Sequence, residues 1–236
     1  MEAASTPGRE ADVRPAPAPD PTGGRSAGFW TPADPGPLGL TGFATTTFVL
    51  SIYNANLVGT GGGAPIIVLG LALAYGGIAQ LLAGMWEFRT GNTFGAVAFS
   101  SFGAFWISFF VLLLTAGNKF GGGFANADVA HNAISVYLYA WAIFTTYMFV
   151  ASLRTTGVIA LVFILLAVTF WLLAIGNASL VGTTNATNST IKVGGYVGLA
   201  TAAAAWYGSF AAVINSTFAR TILPMFPLHL VPRHTP

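Results

Sequence analysis

Charged residues are scarce in this chain, and their scarcity excludes most water-soluble folds. Only 7% of the 236 residues are Asp, Glu, Lys or Arg, whereas a soluble domain carries roughly 25%. Hydrophobic residues make up 54% of the chain, so a water-facing exterior would expose apolar patches that aggregate. We therefore expect a protein whose exterior faces the lipid bilayer.

Cysteine is absent, which excludes disulfides, thiolate metal sites and cysteine nucleophiles. The net charge is only +2 and the chain has no run of Lys or Arg, so no nucleic-acid surface is expected. The motifs His-Glu-x-x-His, Gly-x-Ser-x-Gly and Gly-x-x-x-x-Gly-Lys are also missing. These absences predict a protein that is not an enzyme and that uses no metal and no cofactor.

Six long apolar stretches predict an all-α polytopic membrane protein with six transmembrane helices. Each stretch has about the 20 residues that a helix needs to cross ~30 Å of hydrocarbon. The expected spans are 38–58, 64–86, 95–116, 134–153, 158–180 and 194–218. They form a six-helix transmembrane domain at 34–224, between a disordered Pro-rich cytoplasmic tail at 1–33 and a short cytoplasmic tail at 225–236.

The basic residues predict the orientation of the spans. With six spans, both termini lie on one side of the membrane, together with the connections after the second and fourth spans. That side receives all seven arginines, and the other side receives Lys119 and Lys192. The positive-inside rule then predicts that both termini lie in the cytoplasm. We expect a multi-pass protein of the plasma or inner membrane.

Uncharged polar side chains are the candidates for a solute path, because no ionisable side chain lies in the middle of a span. Phe43, Thr47, Leu50 and Asn54 fall on one face of the first helix. The amides of Asn54 and Gln80 are costly in a membrane unless they are paired or wetted. A path without cationic side chains favours a small, weakly charged solute over phosphate or nucleotides.

Two acidic residues are expected near the membrane surface. Glu87 follows the second span and stands next to Arg89, so it forms either an interfacial charge pair or a proton relay. Asp34 is expected to cap the first helix, because Pro35 and Pro37 suit a helix start.

Several motifs together resemble the acetate uptake transporter family. Residues 34–40 (Asp-Pro-Gly-Pro-Leu-Gly-Leu) are similar to its signature, which has Asn in place of Asp34. Residues 75–95 (Tyr-Gly-Gly-Ile-Ala-Gln-Leu-Leu-Ala-Gly-Met-Trp-Glu-Phe-Arg-Thr-Gly-Asn-Thr-Phe-Gly) are similar to its most recognisable stretch. Residues 99–106, 173–177 and 218–224 also match, so the resemblance extends from about residue 35 to residue 224.

The resemblance implies a function and an assembly. It implies proton-linked transport of acetate and other short-chain carboxylates such as succinate, by a protomer that assembles as a homohexamer with a pore in each copy. A passive channel for small monocarboxylates is the alternative, and a membrane sensor or scaffold in acetate or ammonium adaptation is an alternative of another class. Gly194 and Gly198, a small-xxx-small pair, suit close packing either within the protomer or between copies.

The resemblance also implies site residues. The pore constriction of the family corresponds to Phe43, Phe102 and Leu166, with Phe102 standing where the family has Tyr. Glu87 is the candidate for a proton-carrying or structural carboxylate. The polar substrate path is expected to comprise Thr47, Asn54, Gln80, Asn92, Thr93 and Asn177.

Overall fold

The structure, a computed structural model, describes residues 30, 32–58, 66–116, 124–183 and 188–228. These residues form six helices, so the prediction of an all-α fold is confirmed. Within the expected tails at 1–33 and 225–236, residues 1–29, 31 and 229–236 lie outside the described residues, as do the Gly-rich turn at 59–63 and Lys119.

The six helices follow one another with short connections. Helix α2 covers 66–90 and is built from three segments, Ile66–Leu73, a π-helical segment Ala74–Ala79, and Gln80–Thr90. The other helices are α1 at Gly36–Asn54, α3 at Thr93–Ala116, α4 at Ala127–Ser152, α5 at Gly157–Ala178 and α6 at Ser189–Thr217.

Polar side chains define where most of the helices start. The Asp34 carboxylate, one residue before the N-cap Pro35, accepts the backbone N–H of Gly36 at 2.9 Å and so satisfies the first N–H of α1. Asn126, Thr156 and Asn188 are the N-caps of α4, α5 and α6, and each accepts a backbone N–H from the first turn. Caps of this kind satisfy N–H groups that have no partner within the helix.

Five helices are long and apolar enough to cross a membrane, judged by length and composition within the described residues. They are α2 from Ile67, α3, α4, α5 and α6. Helix α1 has 19 residues and is less apolar, because it carries a threonine at position 41 and three more at 45–47. These polar residues do not prevent a sixth span, since Thr46 and Thr47 are buried, and Thr41 and Thr45 hydrogen-bond with side chains of α6.

The helices form a ring in chain order that closes between α1 and α6. The contact between α3 and α4 is made largely by side chains: Tyr137 of α4 donates a hydrogen bond to the carbonyl oxygen of Phe105 on α3 at 3.1 Å. Successive helices run in opposite directions, so α1, α3 and α5 end together. We call this the Asn54 end of the bundle, and the opposite end the Glu87 end.

Glycines allow the closest helix contacts. A Cβ on Gly195 would lie 2.2 Å from the backbone nitrogen of Ala55. The backbone of α6 therefore packs directly against the backbone at the end of α1. A Cβ on Gly198 would lie 2.3 Å from Oγ of Ser51, and one on Gly194 would lie 3.0 Å from the Leu173 side chain. The glycine pair of α6 is therefore used for packing within the protomer.

The segment after α6 folds back onto the connection between α4 and α5. Gly157 donates its backbone N–H to the carbonyl of Phe226 at 2.7 Å, and Leu228 donates to the carbonyl of Thr155 at 3.0 Å. Asn215 accepts two further backbone N–H groups of the same segment through Oδ1. Residues 225–228, which the sequence suggests as the start of a tail, are thus bound to the helical domain at the Glu87 end.

Candidate functional site

Two cavities lie on the axis of the helix ring. The larger has a volume of about 280 Å³ and is lined by residues of α1, α3, α4 and α5 from the middle of the bundle to the Asn54 end. The smaller has a volume of about 20 Å³ and lies towards the Glu87 end. Among the described residues, none that lines either of these two cavities carries a charge.

Three large apolar side chains lie where the two cavities meet. Phe43 and Leu166 line both cavities, and Phe102 lines the smaller one. Their exposed fractions are 4%, 3% and 3%, so all three are buried inside the ring rather than facing lipid. We call Phe43, Phe102 and Leu166 the apolar layer. The three helices that carry it, α1, α3 and α5, run in the same direction.

Aromatic rings hold the layer in position. The ring centroids of Phe43 and Phe102 are 5.8 Å apart, at an angle of 55°. Phe102 makes further ring contacts at 5.3–6.4 Å, in the geometries that aromatic pairs prefer. These contacts are with Trp141, Phe144, Phe163 and Phe170. The layer is therefore part of a packed aromatic cluster that fixes its side chains.

Four of the six predicted path residues line the cavities. Thr47, Asn54 and Asn177 line the larger cavity, and Gln80 lines the smaller one. Leu50 also lines the larger cavity, so the predicted face of α1 points into it. Each polar residue adds a group that can exchange hydrogen bonds with a hydrated solute.

Gln80 combines two unusual features. It is the first residue after the π-helical segment of α2, and segments of this kind occur frequently at functional sites. Its side chain is 1% exposed, and Oε1 has no hydrogen-bond partner among the described residues. An acceptor of this type is available to a group that donates a hydrogen bond from the smaller cavity.

Asn92 and Thr93 lie apart from both cavities, at the connection between α2 and α3. Both are exposed, and Oδ1 of Asn92 accepts the backbone N–H of Gly95 at 3.1 Å. This geometry makes Asn92 a cap of α3. The structure thus separates these two residues from the four that line the cavities.

Glu87 is buried, at 3% exposure, near the end of α2. Its carboxylate accepts a hydrogen bond from Thr90 at 3.1 Å and another from the side chain of Asn92. A Cβ on Gly95 would lie 2.8 Å from its Oε1, and a Cβ on Gly36 would lie 3.5 Å from it. The carboxylate therefore faces the first turns of both α3 and α1, where helix dipoles favour a negative charge.

Trp106 is a lining residue that sequence reasoning missed. It lies on the wall of the larger cavity, is 2% exposed, and its indole N–H has no partner among the described residues. A tryptophan in an apolar span is predicted as a packing residue, because nothing in the sequence reports whether its N–H is satisfied. The spacing in the sequence gives one usable signal: Trp106 follows Phe102 by four residues, so the two side chains lie on the same face of α3.

Comparisons with known proteins agree with this architecture. Residues 26–230 match the profile of the GPR1/FUN34/yaaH family. The chain belongs to this family. It is 39% identical over 199 residues to the succinate-acetate/proton symporter SatP of Escherichia coli, an alignment that covers 84% of this chain and 97% of SatP. It is 42% identical over 197 residues to acetate permease A of Emericella nidulans, covering 82% of this chain and 65% of the permease.

A solved structure extends the comparison to the fold. The bacterial acetate channel SatP has a TM-score of 0.71 to this chain at 40% identity, with 82% of this chain and 99% of SatP covered. Membership of the GPR1/FUN34/yaaH family confirms the resemblance seen in the sequence and the expectation of a multi-pass membrane protein that is not an enzyme.

Proposed function

We propose that this chain carries acetate, and succinate as a larger substrate, across a membrane together with protons. The observation that supports it most is the similarity to a succinate-acetate/proton symporter along 97% of that protein's length. The walls of the cavities suit such a substrate, because they are mainly apolar and uncharged, with a few amide and hydroxyl groups among the apolar side chains. Such walls suit a small solute that binds weakly and leaves again, as permeation requires.

In this proposal the apolar layer is the constriction of the pathway. Phe43, Phe102 and Leu166 offer no hydrogen bond, so an ion passing between them would lose most of its hydration. The transfer of a charged carboxylate into such surroundings is strongly unfavourable, whereas the neutral acid loses much less. The proton then crosses the layer on the substrate, and no carboxylate of the protein has to carry it.

Glu87 has a structural role in this proposal. Its carboxylate joins the starts of α1 and α3 at the Glu87 end and does not line either cavity. A relay through Glu87 is the competing mechanism, and the pH dependence of uptake by a Glu87→Gln variant separates the two.

A passive channel is the second candidate function. The specific observation in its favour is that no ionisable side chain lines the two cavities, so no resident group couples a proton to the solute. The sensor or scaffold alternative has no comparable support from the described residues.

The experiment is uptake of labelled acetate by liposomes that contain only this protein. An acid-outside pH gradient should drive accumulation above the rate of protein-free liposomes, and a potassium diffusion potential at equal pH should have little effect. A passive anion channel would give the reverse result. Uptake equal to that of protein-free liposomes under both conditions would contradict transport altogether.

Assembly and orientation complete the proposal. The protomer would form a homohexamer in the plasma or inner membrane, with both termini in the cytoplasm. The exposed apolar residues on α2, including Ile67, Leu82 and Met85, would then face lipid or a neighbouring copy. Cross-linking in native membranes tests the hexamer, which predicts a ladder that ends at six subunits.

A further inference from the structure

Two polar residues stand one helical turn from the apolar layer, on the side of the larger cavity. Thr47 follows Phe43 by four residues on α1, and Trp106 follows Phe102 by four residues on α3. Four residues advance a helix by about 6 Å and return to the same face. Because α1 and α3 run in the same direction, both residues lie at one level, and both line the larger cavity.

The polar atoms of these two residues lack partners. Nε1 of Trp106 and Oγ1 of Thr47 are buried and have no hydrogen-bond partner among the described residues. A buried polar group that is left unpaired is costly, so such groups usually face a ligand or water when the protein works.

Comparable residues elsewhere in the bundle do have partners. The indole N–H of Trp171 donates to Thr146 at 3.1 Å, and that of Trp206 donates to Thr45 at 3.3 Å. The hydroxyls of Thr46, Thr145 and Thr169 donate to backbone carbonyls four residues earlier, the usual arrangement in membrane helices. Thr47 and Trp106 lack such partners, and they lie one helical turn from the apolar layer, where the proposed pathway is narrowest.

We propose that the indole N–H of Trp106 and the hydroxyl of Thr47 bind the carboxylate of the permeating acid immediately before the apolar layer. The proposal rests on the proposed transport function and adds the site that recognises the carboxylate. An ionised carboxylate only accepts hydrogen bonds, and the indole N–H only donates them. The pair therefore selects a carboxylate end, with its alkyl end free to contact the surrounding rings. The bound carboxylate then takes a proton from solvent and crosses the layer as the neutral acid.

The site also suits rapid release. No Lys or Arg lines the larger cavity, so the carboxylate is held by neutral donors alone. Neutral donors bind an anion less strongly than a guanidinium or an ammonium does. A binding step of this kind orders short carboxylates before the constriction without trapping them.

Kinetics of two conservative variants test the proposal. Trp106→Phe keeps a ring and removes the N–H, and Thr47→Val keeps the shape and removes the hydroxyl. Each should raise the half-saturating acetate concentration about tenfold, the effect of losing one hydrogen bond to a charged group. The matched controls are Trp171→Phe and Thr145→Val, which make the same chemical changes at side chains outside the cavities and should leave that concentration unchanged.

A spectroscopic readout separates binding from a packing role. In the full chain labelled with 5-fluorotryptophan, the ¹⁹F resonance missing from Trp106→Phe should shift with acetate, and the resonance missing from Trp171→Phe should not. If Trp106→Phe fails to insert into membranes, Trp106→Tyr provides the assignment.

The possible outcomes separate the two proposals. Acetate transport by the wild-type chain with an unmoved Trp106 resonance would overturn the binding site and leave the proposed function standing. Absence of acetate transport by the wild-type chain would overturn the proposed function, and the site with it.

Discussion

Phe102 packs among aromatic side chains of three neighbouring helices. It contacts rings from α1, α4 and α5, and it stands where the sequence resemblance places a tyrosine in related proteins. A phenylalanine at this position removes a hydroxyl from the apolar layer. We infer that the layer of this chain is drier than one with tyrosine.

Leu166 gives the clearest test at the scale of a single residue. Truncation to Leu166→Ala removes a buried side chain from the layer and should widen the passage. We expect the uptake of succinate and lactate to rise relative to acetate, measured as initial rates in liposomes. Leu161→Ala, on the same helix but 50% exposed on its outer surface, is the matched control. Unchanged relative rates in Leu166→Ala would show that Leu166 serves packing only.

Glu87→Gln tests the role of the buried carboxylate. The substitution removes a negative charge from the starts of α1 and α3, a loss of roughly 0.3–2 kcal/mol. We expect less correctly inserted protein and a lower unfolding temperature. The dependence of acetate uptake on external pH should stay the same when it is normalised to inserted protein. A profile that becomes flat in the variant would instead show that Glu87 carries the proton.

At the residue scale, spacing predicts part of the site. The face formed by Phe43, Thr47 and Asn54 follows from helical periodicity, and the structure turns it to the larger cavity. Spacing does not predict that Asn92 caps α3, because an Asn that caps a helix and one that meets solute look alike in sequence. The burial of Glu87 was also beyond prediction, since it depends on glycines contributed by two other helices.

Among the elements, α2 departs most from a regular span. Its π-helical segment Ala74–Ala79 has Gly76 against Thr46 of α1 and Gln80 directly after it. Hydropathy predicts that this helix exists but cannot predict the extra residue per turn, which depends on contacts with α1. The starts of α4 and α6, at Ala127 and Ser189, lie before the starts of the predicted spans at 134–153 and 194–218 for a related reason. Their polar first turns, started by Asn126 and Asn188, lie outside the apolar stretches.

Gly76 provides a test of the contact between α1 and α2. A Cβ at this position would lie 2.5 Å from Oγ1 of the fully buried Thr46, so Gly76→Ala should overpack the contact. We expect a loss of about 1–3 kcal/mol in stability, seen as a lower unfolding temperature in detergent. Gly70→Ala has open space around its Cβ and is the control. Equal unfolding temperatures for the two variants would contradict this packing.

For the whole molecule, composition was the most informative feature. The shortage of charge and the six apolar stretches predict a bundle of membrane-spanning helices, and the structure confirms the helices. The closure of the ring between α1 and α6 could not be predicted in the same way, since it joins residues far apart in the chain. It depends on glycines whose packing partners the sequence does not identify.

The distribution of arginines leads to a prediction about topology. A reporter fused after Pro236 should be active only in the cytoplasm, because all seven arginines then lie on the cytoplasmic side. A second reporter inserted between α5 and α6 should be active only outside. Activity of the first reporter outside the cytoplasm would overturn the orientation while leaving the fold unchanged.

The most direct test of the account is proton movement with acetate in liposomes that contain only this protein and an internal pH-sensitive dye. An inward acetate gradient at neutral pH should acidify the interior faster than in protein-free liposomes, and an equal gradient of gluconate should not. Internal acidification at the protein-free rate would contradict the claim that this chain moves short carboxylates together with protons.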